Sequence, residues 1–149
     1  IPSIDLYMDQ VVSFLDEHLS IFIKTDNNDN TNIITKTMIN NYVKHGALKP
    51  PVSKKYNREH IAYLFVIFIL KQIYSLDEIK KLINLAIETS STDQSYNRFC
   101  TELEKTIRTT FNGDNYINND RLSKEQYILR KVTSSFANKL YVQKVFLYN

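Results

Sequence analysis

Two glycines, three prolines and a single cysteine are all that this 149-residue chain offers to break or cross-link a fold. Gly46 and Gly113 stand far apart. A phosphate-cradling loop or dinucleotide fingerprint needs several glycines in one turn, so both are excluded. Scarce glycine and proline also favour long helices over tight turns. Cys100, alone, allows neither an internal disulfide nor a cysteine-based zinc site within one chain. A reducing, cytoplasmic location is the expectation that fits. The longest apolar run, 61–70, falls short of the about 20 residues that cross a bilayer, so no membrane segment is expected. The opening residues Ile-Pro-Ser-Ile-Asp lack the basic start and apolar stretch of a secretory signal, and none is expected.

Catalytic patterns are missing too. His18, His45 and His60 lack the His-Glu-x-x-His spacing of a metal pair and read as surface or half-buried structural histidines. No cofactor is expected. Cys100 shares a helical spacing with Tyr96, Phe99 and Leu103, which predicts a core cysteine rather than a nucleophile. Asp16-Glu17 and Asp77-Glu78 are adjacent on helices, so their carboxylates diverge and form no acid–base couple. No Gly-x-Ser-x-Gly elbow occurs. The expectation is a protein that is not an enzyme.

What is present is a hydrophobic fraction of 43%, enough for a real core, in a length that suits one domain with or without a helical appendage. Net charge is only +3, but it is unevenly spread. Residues 33–60 hold Lys36, Lys44, Lys49, Lys54, Lys55 and Arg58 against Glu59, six cations to one carboxylate, or +5. The remainder holds thirteen cations to fifteen carboxylates, or −2. A basic segment on a slightly acidic body suits one anionic partner; a solvated lysine-bearing loop is the plain alternative.

Apolar spacing predicts a helix from Ile4 to about Ile23, with Asp5 near the positive end of its dipole. The polar run 25–32 predicts a loop. Thr35 reads as an N-cap, and a short helix over 36–45 ends at Gly46 in a left-handed C′ position. Met38, Ile39, Tyr42 and Val43 form its expected core side. Thr37, Asn40, Asn41 and Lys44 form the other side: a hydroxyl, two amides and a cation. Pro50-Pro51 then forces an extended path, as a small hairpin or only a loop. Asn57 can cap a helix over 58–73, whose run 61–70 belongs at the centre of the fold. Ser75-x-x-Glu78 and Ser123-x-x-Gln126 are capping boxes that open further helices. Another helix is expected from Thr92 or Asp93 to about Asn112. The fold class expected is all-α, with about six helices and little or no sheet. Tyr56, flanked by Lys54, Lys55 and Arg58, is either a hinge tyrosine under the turn or a nucleic-acid contact.

The order of these pieces resembles the DNA-binding head of the MerR family of bacterial regulators. Tyr42, Lys44, Gly46, Leu48 and Pro50 fit its recognition helix and turn. Lys54 and Tyr56 fit its wing, and Tyr74, Ser75, Leu76, Glu78 and Ile79 fit the following helix. About a third of the chain is covered. Asn40 stands where those regulators usually carry an arginine, and the segment from Gly46 to Tyr56 is shorter than the usual wing. The polar run after Ile23 is also longer than the usual 3–4-residue turn between the two helices. The whole chain is also similar to a bacterial family known only as a domain of unknown function, of the DUF1836 type, through Ile4-Asp-Leu-Tyr-Met-Asp-Gln10 and Thr35 to Lys44.

The resemblance implies a winged helix-turn-helix core over 1–90, with a short or vestigial hairpin, and a helical extension over 91–149. Duplex DNA is the implied partner. Asn40 and Asn41 would read bases, Thr37 would add a polar contact, and Lys36, Lys44, Lys54, Lys55 and Arg58 would hold phosphates, with Tyr56 nearby. The shortened wing motivates a second hypothesis, a protein-interaction scaffold that keeps the fold without DNA. Apolar residues circle most of the C-terminal helix, so 123–149 either packs on its own domain or joins a homodimer. No residue in 93–149 names an effector.

Overall fold

The first turn of the expected N-terminal helix is a strand instead. In the computed structural model, which describes residues 1–23, 34–115 and 121–148, β1 (Leu6–Tyr7) pairs antiparallel with β2 (Lys55–Tyr56), Leu6 opposite Tyr56 and Tyr7 opposite Lys55. Helix α1 therefore begins at Met8 and ends at Ile23, and Asp9 rather than Asp5 occupies its first turn. The helical spacing of Ile4 and Tyr7 is overridden by a strand partner some fifty residues away in sequence, a tertiary effect that local periodicity does not encode. The expected loop 25–32, with its bearing on the turn before the next helix, lies outside the described residues.

Helices α2 (Lys36–Lys44), α3 (Arg58–Leu70), α4 (Leu76–Thr89), α5 (Thr92–Asn112) and α6 (Lys124–Val142) follow, with a π-helical turn at Gln143–Leu147. Among the described residues the protein is all-α apart from the two-residue strands and one isolated bridge. The caps explain the starts. Asn57 Oδ1 accepts from His60 N at 3.0 Å, Ser75 Oγ from Glu78 N at 3.2 Å, Ser91 Oγ from Gln94 N at 3.2 Å and Ser123 Oγ from Gln126 N at 3.1 Å. Each such cap contributes about 1 kcal/mol. Gly113, at φ +75°, ends α5 in the left-handed region.

The chain divides into two compact units, Ile1–Lys80 and Lys81–Asn149. In the first, α1 buries Val11, Leu15, Leu19 and Ile23, one residue per turn. Helix α3 buries eight of its thirteen residues and forms the centre, as its unbroken apolar run requires. Each fully buried leucine or isoleucine there contributes about 1.5–3 kcal/mol of transfer free energy.

In the second unit α5 buries Phe99, Leu103 and Thr106, and α6 buries Val132, Thr133, Phe136, Ala137 and Leu140. Two contacts give their relative direction. Arg130 Nε meets Glu102 Oε1 at 2.8 Å, and the Phe111 and Tyr141 rings lie 5.3 Å apart. Moving toward the C-terminus on α5 thus moves toward the C-terminus on α6, so the two helices run parallel. Antiparallel helices would separate the second pair by about 30 Å at 1.5 Å per residue.

Cys100 is exposed, against the expectation of a core position. The buried stripe of α5 passes through Phe99, Leu103 and Thr106, and Cys100 sits one helical step, about 100°, off it. Its immediate surroundings still desolvate the thiol and push its pKa up, while a hydrogen bond with Tyr96 works the other way.

Candidate nucleic-acid interface

Helix α2 opens at Thr35, whose Oγ1 accepts from Met38 N at 3.2 Å. It closes through Gly46 at φ +75°, with Ala47 N donating to Tyr42 O at 2.9 Å. Only Ile39 and Tyr42 of its nine residues are buried. The Tyr42 ring packs edge-on against Phe68 of α3, centroids 5.3 Å apart. Val43 is half-buried, and Met38, expected on the core side, is 38% exposed. An anchor spaced i, i+3 fills a narrow stripe, and Met38 falls one step outside it. The helix therefore lies on the surface of its unit. Thr37, Asn40, Asn41 and Lys44 are all exposed.

The turn that follows is a formed hairpin. Val52 and Lys55 exchange both backbone hydrogen bonds at 3.0 Å, and Ser53 and Lys54 between them have φ of +49° and +64°. Positive φ at both central residues is the signature of a type I′ turn, whose twist matches paired strands. Lys54, Lys55 and Arg58 are exposed at the tip, in β2 and at the start of α3. Tyr56 is not available for contact: it is 2% exposed, with its ring 5.4 Å from that of His60. Strand alternation sends Lys55 out and Tyr56 in. Burial raises the pKa of Tyr56 and of Tyr42 above the ordinary phenol value.

Two residues without a signal of their own in the sequence join these parts. Asp9, in the first turn of α1, forms an ion pair with Lys36 in the first turn of α2. Tyr7, two residues earlier, lies under Lys55, whose Nζ is 5.3 Å from the ring centroid. Residues 7–9 thus sit beside both the start of α2 and β2, the returning strand of the hairpin. At the other end of α2, Lys80 Nζ donates to His45 O at 2.8 Å. His60 is the third such residue. Expected at the surface or half-buried, it is 6% exposed and sits inside the cap of α3. Its Nδ1 partners belong to Asn57, three residues earlier, but its Nε2 partner is the Pro50 carbonyl, which the proline turn brings close.

Chemically the surface offers amides, a hydroxyl and ammonium groups. Among the described residues no group of three or more His, Cys, Asp or Glu is placed to hold a metal ion, and no helix is long and apolar enough to cross a membrane. No curated protein and no solved structure matches the chain. One protein-family model, described as Domain of unknown function (DUF1836), matches residues 1–102, a span that includes the whole first unit.

Proposed function

This chain belongs to that DUF1836 family, a membership that assigns no activity, and we propose on its own geometry that the first unit binds duplex DNA in a sequence-dependent way, as a non-enzymatic regulator of transcription. The observation that carries the reading is the exposed face of α2, where Thr37, Asn40, Asn41 and Lys44 stand outward over an anchor of only two buried residues. A helix held so shallowly can enter a major groove about 12 Å wide without uncovering its core. Asn40 and Asn41 carry the paired donor and acceptor that adenine presents in that groove. Lys36, Lys44, Lys54, Lys55 and Arg58 supply phosphate contacts around it. The order of surface helix, hairpin and capped helix resembles the MerR-family head and supports the same reading.

The test is selection of DNA from a random pool with the purified chain, followed by affinity across a salt series. Enrichment of a defined site, with affinity falling steeply as salt rises, is expected from counterion release. No enrichment, or affinity that ignores salt, would remove the proposal. The exposed Met38 on the same helix favours a second reading, a protein-docking module. A stable protein partner, together with no DNA affinity at about 50 mM salt, would select it.

A further inference from the structure

The period that buries α6 runs out at a definite residue. Val132, Phe136 and Leu140 face inward at steps of four. The next inward positions, three and four residues on, are Gln143 and Lys144. Both are polar, so the helix cannot continue to bury itself on its own unit. The backbone changes here to i→i+5 bonding, with Tyr148 N donating to Gln143 O at 2.8 Å, a geometry often found at functional sites. The apolar residues of this stretch face outward instead. Phe146 is 78% exposed, Leu147 55%, Val142 47% and Tyr148 47%. Tyr141 extends the patch to Phe111 at the same end of the parallel helix pair.

We infer that this apolar end of the second unit is a homodimer interface, occupied by the same patch of a second copy. Area supports a stable pairing. Given about 150–250 Å² for a large aromatic side chain, these six residues expose on the order of 550 Å². That is the upper end of the about 300–600 Å² spanned by the largest apolar patch of a typical monomer, a patch that is often functional. A standard interface needs roughly 800 Å² per partner, so the patch supplies about two-thirds and its polar rim the rest. The chemistry favours a copy over a charged partner. Lys144 is the one ionisable group besides the tyrosines in 141–148, so the patch has little charge to complement. A two-fold contact must be self-complementary, and rings stacked on rings and aliphatic groups satisfy this without opposing like charges. The inference stands apart from the DNA reading, because it uses only the second unit.

Sedimentation velocity of the whole chain from about 1 to 100 µM tests it. A reversible monomer–dimer equilibrium in that range is expected. Phe146→Glu and Val142→Glu should each weaken it about 100-fold or more, as the loss of a central apolar anchor does. Both side chains are exposed, so far-UV circular dichroism should stay unchanged. A wild-type chain that is monomeric at about 100 µM overturns the inference. So does a dimer that ignores both substitutions, or a monomer that binds anionic lipid vesicles through this patch.

Discussion

The Nε2–H of His60 donates to the carbonyl of Pro50 across 3.1 Å, tying the first turn of α3 to the entry of the hairpin. The carbonyl can only accept, so Nε2 carries a proton, while Nδ1 sits inside the cap, 3.0 Å from Asn57 N and 2.9 Å from Asn57 Oδ1. One buried imidazole thus completes the helix cap and fixes the proline turn. His60→Ala should lower stability by about 2–3 kcal/mol, from two lost hydrogen bonds and a weakened cap. Urea unfolding measures it. A loss under about 0.5 kcal/mol would mean that the tie does not hold the turn.

Asn41→Ala and Lys44→Ala separate base reading from phosphate holding. Removing the amide should flatten the preference among sequences by about 1–3 kcal/mol at the position it reads. Removing the cation should weaken all sequences alike and reduce the salt slope by about one. Competition binding with the selected site and a scrambled one decides. Equal loss on both duplexes from Asn41→Ala would deny that residue a reading role.

Asp9→Asn should strengthen DNA binding. The Asp9 carboxylate pairs with Lys36 and would compete with a phosphate for the same ammonium. Both side chains are well exposed, so the pair is weak and easily screened. A gain of about two- to threefold at low salt, vanishing by about 0.5 M, is expected. Titrations at two salt concentrations check it, and an unchanged affinity at low salt would place Lys36 outside the contact.

What the sequence disclosed here follows from the range of each interaction. Thr35, Asn57, Ser75 and Ser123 are legible as caps because donor and acceptor lie three residues apart. The exposed face of α2 is legible for the same reason, since its spacing is local. Asp9 and Tyr7 are not, because their partners Lys36 and Lys55 are 27 and 48 residues away. Met38 and Cys100 share the apolar spacing of their helices, yet each sits one helical step off a stripe narrower than the apolar face. The parallel course of α5 and α6 carries no local pattern at all.

Buried phenols set the alkaline limit. The pKa of Tyr42 and of Tyr56 is raised by burial, while an unfolded tyrosine ionises near about 10. Below that pH both states hold the proton and the two residues add no pH dependence. As pH rises past it, the unfolded state loses protons first and stability falls. Phenolate absorbance followed together with circular dichroism should show two tyrosines ionising late, in step with unfolding. Tyr42→Phe should make stability less sensitive to pH in that window. Ionisation of every tyrosine near pH 10 with the fold intact would contradict the burial of these two rings.

The hairpin tip sets stability against binding. Lys54 has φ +64° and Ser53 φ +49°, in a turn that favours glycine or asparagine at both places. A side chain with a Cβ costs about 1–2 kcal/mol in that region, and glycine has none to clash. Lys54→Gly should therefore raise stability by about 1 kcal/mol, read as a higher urea midpoint. If the cation at the tip meets a phosphate, the same substitution should weaken binding to every duplex and lower the salt slope by about one. Lys54→Asn removes the charge while tolerating the left-handed region, and should match the glycine variant in binding. A more stable variant with undiminished DNA affinity would show that strain at this position is not retained for the sake of the lysine.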